Sequence, residues 1–253
     1  MIFRYIFWLF FYSVIGWVYE TILCSVNEKR WVNRGFLNGP YCPVYGFGAI
    51  LDLLVLNDVK GIFMLFLLGA VLTCTLEYFT SWVMEELFQT RWWDYSERKF
   101  NFNGRICLAG AIVFGIFTVL LIRILHPEVS GLTNYAPHSF LVTFALIMIP
   151  IFIIDCSVTI INVLGFNKKL KIVSIKLQLN EIKNQLSQLV EIKMLMRRLN
   201  VQERRLLRAF PRVRSILYND TLQLIKEAFQ NVIWKKENND YNKVIRIKKA
   251  FIE

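Results

Sequence analysis

Three carboxylates stand inside apolar runs, where charge is costly: Glu20, Glu77 and Asp155. A carboxylate at the centre of a bilayer costs on the order of 3 kcal/mol or more, so each should face a partner or a polar cavity. Their neighbours recur at helical spacing: Tyr12, Gly16 and Glu20; Gly69, Thr73, Glu77 and Ser81; Asp155, Thr159 and Asn162. Residues so spaced share one helix face. Two N-G-x-x-C elements offer the opposite sign, Asn38-Gly39-Pro40-Tyr41-Cys42 and Asn103-Gly104-Arg105-Ile106-Cys107. Asn suits a helix N-cap and Pro the first turn. A helix start presents free N–H groups and partial positive charge, which with Arg34 and Arg105 nearby would suit an anion. Two readings stay open. In one, the acids and capped helix ends line a polar cavity that opens to the cytoplasm and binds a solute. In the other, the acids pair with Arg34 and Arg105 as assembly locks, and the N-G elements are tight packed turns.

Other chemistries find little support. Both histidines, His126 and His138, fall away from the acids, and no Ser/His/Asp or Cys/His set converges. The five cysteines, Cys24, Cys42, Cys74, Cys107 and Cys156, are odd in number and lack close C-x-x-C spacing. They read as buried thiols, with neither a disulfide framework nor a zinc site. No cofactor and no metal is implied. No G-x-x-x-x-G-K-[ST] occurs, so the sequence encodes no P-loop ATPase. Asp52 reads as a lone polar group in helix packing.

The elements that position these residues follow from hydropathy. The chain has 253 residues, 55% hydrophobic and only 19% charged, against roughly 25% charged in soluble domains. Its mean hydropathy is +0.42. A span needs about 20 apolar residues. Five candidates appear: Ile2–Val26, Tyr41–Leu56, Gly61–Phe88, Ile106–Leu125 and Ser139–Leu164. The second is short. The first lacks a basic leader and a cleavage site and reads as a retained helix. Backbone in lipid must satisfy itself, so these spans are helices. The fold class is all-α: an integral membrane bundle of five transmembrane helices with a cytoplasmic helical tail.

Charge divides the chain. Residues 1–166 carry ten Lys+Arg and eleven Asp+Glu, and residues 167–253 carry twenty and eight. The expected domains are a 1–166 transmembrane bundle and a 167–253 basic tail. Loops near 27–40 and 89–105 are basic, whereas 57–60 and 126–138 are poor in basic residues. This alternation places the N-terminus outside and the C-terminus in the cytoplasm. The three acids then share a depth in the cytoplasmic half. Glu20 and Glu28, and Glu77 and Glu85, keep one spacing before Trp residues and an N-G-x-x-C. This is a candidate parallel repeat: two helix-loop-helix units with a fifth helix appended. Trp92, Trp93, Asp94 and Tyr95 read as an interface cluster at headgroup level, with lipid contact possible there. In the tail, Ile172, Ile175, Leu179, Ile182, Leu186 and Leu189 alternate in steps of three and four, so Lys168–Leu199 reads as one amphipathic helix. It could form a coiled coil, lie on anionic lipid or fold back on its own chain. A helix over about Arg214–Lys235 follows. Nucleic acid is not expected, because stacking platforms are absent.

The stretches YSVIGWVYE, NRGFLNGPYCPVYGFG, LEYFTSWVMEELF, WWDYS and NFNGRICL resemble the ABC-transporter type IV family of CmpB-like membrane permeases, over about Ile6 to Phe117. The resemblance implies a bacterial multi-pass plasma-membrane protein of transport type, with its ATPase on a separate subunit. Five helices are few for a solitary transporter, so a homo-oligomer or larger complex in membrane lipid is expected. The leading function is a permease-like subunit handling a small anionic or zwitterionic solute. Its site residues are Glu20, Arg34, Asn38, Gly39, Glu77, Asn103, Gly104, Arg105 and Asp155. The alternatives are a scaffold that recruits partners through the tail, and a membrane-embedded enzyme acting on a lipid-linked substrate.

Overall fold

The structure is a computed structural model and describes residues 1–180, 192 and 194–228. Helix α1 spans Ile2–Glu28, α2 Pro43–Leu56 and α3 Ile62–Phe88. A strand β1 (Thr90–Arg91) and a hairpin of β2 (Asn101–Phe102) and β3 (Ile106–Cys107) lead into α4 (Leu108–Leu120). A π-helical turn, Leu121–Leu125, joins α4 to α5 (His126–Tyr135). Then come α6 (His138–Asn180), α7 (Val201–Ala209) and β4 (Arg214–Ser215). Residues 219–228 are helical.

Four helical stretches are long and apolar enough to cross a membrane: Ile2–Glu28, Ile62–Phe88, Leu108–Tyr135 and His138–Leu177. They expose large apolar side chains, among them Ile22, Phe63, Val71, Ile154 and Ile161. Apolar surface around a helix suits a lipid environment. The stretch 126–138, expected as a loop, is mostly helix α5, because the π turn absorbs the irregularity without ending the span. Helix α2 has 14 residues, about 21 Å, and falls short of a full crossing.

Helix α1 ends where Lys29 turns left-handed, φ 51°. The Lys29 and Arg30 amides return to the carbonyls of Val26 and Ser25 at 3.3 and 3.1 Å, which satisfies two carbonyls at the helix end. The chain then climbs back along α1. Val32 N–H donates to Ser25 Oγ at 2.9 Å, Arg34 N–H to Thr21 Oγ1 at 3.5 Å and Cys42 N–H to the Ser13 carbonyl at 2.8 Å. From Ser25 to Ser13 the helix rises about 18 Å. Helix α2 therefore starts deep inside the bundle. Its N-cap is Cys42, with Pro43 in the first turn. Asn38, expected as that cap, lies four residues earlier in the climbing segment, where its amide has another acceptor.

Two apolar clusters hold the ends. One joins Trp8, Tyr12, Ala49, Leu53, Leu56, Leu65, Leu121 and Ile122. The other joins Phe88, Trp92, Val163, Leu170, Val173 and Leu177 with Leu195, Leu199, Leu206, Leu207, Phe210, Leu222 and Ile225. The described part of the tail is thus folded onto the base of the bundle. Strand pairing adds to this: β1 and β4 match Thr90 with Ser215 and Arg91 with Arg214. Helix α6 passes residue 166 unbroken. On it, Leu170, Val173 and Leu177 are buried, while Ile172 and Ile175 of the heptad stripe are exposed. The continuation of that stripe at Ile182, Leu186 and Leu189 lies outside the described residues, as do residues 229–235 of the last expected helix.

Close packing of α1 on α2 depends on Gly46, where an added Cβ would fall on the Ser13 hydroxyl and the Leu9 carbonyl. Gly131 in α5 has open space around it. Gly46→Ala should destabilise the protein by about 1–3 kcal/mol, seen as a lower melting temperature in detergent. Gly131→Ala should leave that temperature unchanged or raise it.

Candidate functional site

The climbing segment brings free backbone donors against α6, and they need acceptors there. Asp155 of α6 supplies them. Its Oδ1 accepts from the Asn38 amide at 3.0 Å and from Asn38 Nδ2 at 2.8 Å. Its Oδ2 accepts from the Gly39 amide at 2.8 Å and from the Tyr41 hydroxyl at 2.7 Å. Thr159, fully buried, donates to Oδ1 at 3.3 Å. An added Cβ at Gly39 would fall on the Tyr41 ring, so no larger residue fits this turn unchanged. The backbone donors expected for an external anion are thus engaged by the chain's own carboxylate.

Glu20 accepts from the Tyr45 hydroxyl at 2.6 Å and lies 3.6 Å from Arg34 Nε. Arg34 in turn donates to the Ala209 carbonyl and stacks over the Phe210 ring at 4.2 Å. Glu77 has no ion pair among the described residues. Its one hydrogen bond comes from the Tyr95 hydroxyl at 3.4 Å. Glu77 and Glu20 lie within electrostatic range of each other, and Tyr95 within range of both and of Arg34. Burial, then those two carboxylates, push the Tyr95 phenol well above its ordinary value, so it remains a donor. Tyr19 packs edge-on against Phe117 at 4.9 Å and near Tyr45 at 6.3 Å. Glu20, Arg34 and Glu77 therefore come together beneath a group of tyrosines. Asp155 joins Asn38 and Gly39 in a separate arrangement.

Arg105 chooses a different acid. Its Nη1 lies 2.7 Å from Glu85 Oε2, and Arg91 Nε lies 2.9 Å from the same oxygen. The second N-G element is the tip of the β2–β3 hairpin, with Asn103 at φ 52° and Gly104 at φ 67°. Helix α4 is capped by Cys107, so Asn103 is no helix cap. Asn103 Nδ2 instead reaches the Tyr78 hydroxyl at 3.1 Å. Two successive positive φ values explain the Asn-Gly pair, since these residues tolerate the left-handed region best.

The Trp92–Tyr95 cluster is turned inward. Trp92 packs on Phe36 at 4.9 Å and Phe210 at 5.2 Å, and Trp93 Nε1 donates to the Arg105 carbonyl at 3.1 Å. Trp31, Phe100 and Phe102 are outward-facing rings on this end. Asp94 Oδ2 holds Arg214 Nη1 at 2.8 Å, and Ser96 donates to Oδ1. Burial raises the Asp94 carboxyl, but the Ser96 hydrogen bonds, Arg214 and Arg91 outweigh that and hold it below its ordinary value.

Helix α7 seals this end from below. Asn200 and Glu203 cap its start reciprocally, each bond 2.8 Å. Gln202 Nε2 donates to Thr159 Oγ1 at 2.9 Å, and buried Glu203 pairs with Lys169 at 2.8 Å. Arg205 donates to the carbonyls of Gly35 and Phe36, the latter at 3.0 Å. Tyr45 and Arg205 carry much of this site and leave no signal in the sequence. Tyr95 is expected there only as an interface ring, Tyr41 stands within the first N-G-x-x-C element without a role, and Glu85 shows itself through its matched spacing with Glu77. Beside Asp155, a groove of about 580 Å³ opens between α1 and α6, lined by Val14, Tyr41, Met148, Ile151 and Ile154. The described residues contain no group of three side chains placed to hold a metal ion.

A family model described as "Putative ABC-transporter type IV" matches residues 7–160, more than half of the chain, with Glu20, Glu77, Glu85, Asp94 and Asp155 inside the match. No curated protein matches, and no solved structure matches.

Removing the Asp155 carboxylate strands its donors. Hydrogen bonds to a charged group are worth about 1.5–3 kcal/mol each. Asp155→Ala should cost stability on the order of 2 kcal/mol and loosen the climbing segment. In a variant that keeps Cys42 as its one cysteine, thiol labelling should be slow with Asp155 present and fast in Asp155→Ala. A second outcome concerns pH. A carboxyl held low stabilises above its unfolded range, and that contribution is lost as pH falls through the lower folded value. Pairing of β1 with β4 should therefore weaken only below about pH 4. Hydrogen exchange at the Ile216 amide, which donates to Gln89 at 3.0 Å, reports it. Asp94→Asn should show the faster exchange already at neutral pH.

Proposed function

Because the chain belongs to the ABC-transporter type IV family, we propose that it is the permease-like membrane subunit of a transporter whose ATPase is a separate chain. It crosses the bilayer five times, with the N-terminus outside and the C-terminus in the cytoplasm, and α2 completes its crossing with the climbing segment. Basic groups of one end support this orientation. Arg34, Arg91 and Arg105 all contact or neighbour the tail-bearing end. Arg4, by contrast, donates to Asn134 at 2.8 Å, and Phe3 packs on His138 at 5.7 Å, at the opposite end. Two loops that each reach the acid of the preceding helix, Arg34 to Glu20 and Tyr95 to Glu77, favour the parallel repeat.

The solute site is the group of Glu20, Arg34 and Glu77 with Tyr45 and Tyr95. One observation carries this reading: Glu77 is an intramembrane acid without a cationic partner among the described residues. The backbone donors at Asn38 and Gly39 are taken by Asp155, and Arg105 is taken by Glu85. Of the two solute classes considered, a zwitterion suits this balance better than an anion. Its ammonium would meet Glu77, and its acid group would meet Arg34, whose 3.6 Å contact with Glu20 is loose. Helix α7 and Phe210 lie beneath Arg34, so the described conformation is closed toward the cytoplasm.

Full-length protein in liposomes, offered free amino acids and glycine betaine as probes, tests the reading. Glu77→Gln should lower binding or exchange of the preferred probe at least tenfold, about 1.4 kcal/mol. Arg34→Lys should retain part of it and Arg34→Gln none. Unchanged binding in Glu77→Gln would remove the site.

A further inference from the structure

Away from that site, at the other end of the bundle, one acid remains unexplained. Asp52 of α2 is 2% exposed, enclosed where α2 meets α3 and α4. Its neighbours along α2, Ala49, Leu53 and Leu56, belong to the apolar cluster with Leu65, Leu121 and Ile122. Thr118 of α4 donates to Asp52 Oδ2 at 2.6 Å. Oδ1 is buried and has no hydrogen-bond partner.

We infer that Asp52 is a proton-binding site, its carboxyl held neutral by this enclosure and exchanging its proton only when the α2–α4 contact opens. An ionised carboxylate would need donors on both oxygens or a cation beside it. Neither is present among the described residues. On the elements packed against α2, the nearby titratable groups are otherwise engaged. Arg4 of α1 is held by Asn134 and Tyr12 by His126, 2.8 Å each. Glu77 of α3 is held by Tyr95, and Arg123 of the π turn by the carbonyls of Val59 and Lys60. Tyr5 of α1 packs on Trp8 at 5.1 Å, and Cys74 of α3 is buried. At 2.6 Å the contact between Thr118 Oγ1 and Asp52 Oδ2 serves a neutral carboxyl whichever of the two hydroxyls donates. The step is plain acid–base exchange: the carboxylate takes a proton from hydronium and leaves water, and release reverses this.

The surroundings provide a means of opening. Thr118 packs on Gly69, where an added Cβ would fall on the Thr118 side chain. The π turn begins three residues later, at Leu121. Such single-turn π segments interrupt the regular ladder and occur often at functional positions. They let one part of a helix shift relative to the next. This inference stands apart from the solute reading, since Asp52 touches none of the solute-site residues described.

Infrared difference spectroscopy on full-length protein in liposomes tests it. The wild-type minus Asp52→Asn spectrum at neutral pH should contain a protonated carboxylic-acid C=O stretch and no carboxylate stretches. In a Thr118→Val background the same difference should keep the acid band, moved to higher frequency by the lost hydrogen bond. Asn keeps the shape of Asp, and equal melting temperatures of wild type and Asp52→Asn would show that folding is intact. Carboxylate stretches in place of the acid band, with or without added sodium, would overturn the inference. So would an acid band that survives in Asp52→Asn and leaves the difference spectrum empty.

Discussion

Asp155 lets an irregular segment exist between two long apolar helices. Backbone N–H groups left unpaired and away from water cost several kcal/mol each. The residues from Val32 to Cys42 solve this by borrowing from two helices. Side chains and carbonyls of α1 take the amides of Val32, Arg34 and Cys42, while the α6 carboxylate takes those of Asn38 and Gly39. Without the latter contact, the start of α2 would be held only by the Cys42 bond to α1 and the packing at Gly46. Thr159 extends the same network to Gln202. The seat of α7 and the start of α2 thus share one patch of α6.

The second feature is how charge is shared. Several basic side chains near the acids have a second role. Arg34 serves Glu20, a carbonyl and an aromatic ring; Arg105 serves Glu85 and lies 5.5 Å from the Tyr78 ring. Arg205 closes two carbonyls of the climbing segment. Such groups hold position through several modest interactions, none of which depends on a single partner. Glu77 stands out against this background because it has one long bond to a phenol.

The sequence made the helices legible, because apolar runs of span length have few other outcomes. It also put Glu20, Glu77 and Asp155 within long helices, but it did not show the division that sets Asp155 with Asn38 and Gly39, apart from Glu20 and Glu77. What it concealed was partner choice. Arg105 could reach Glu77 or Glu85 by spacing alone, and the hairpin at Asn103-Gly104 decides for Glu85. The sequence Asn-Gly-Pro reads as a helix start by composition. Yet Pro40 precedes the helix by three residues, and Pro43 takes the first turn. The tail hid its buried stripe for a similar reason. Leu170, Val173 and Leu177 lie one or two residues from Ile172 and Ile175 of the better-formed heptad, and tertiary contact with Phe88 and Trp92 selects the weaker pattern.

Helix α6 runs 43 residues without a break, about 65 Å. Pro150 removes one rung of its ladder, five residues before Asp155. From Asp155 to Leu177 the same rod carries both the carboxylate that holds Asn38 and Gly39 and the buried Leu170, Val173 and Leu177 that seat the described tail, so the two contacts share one support.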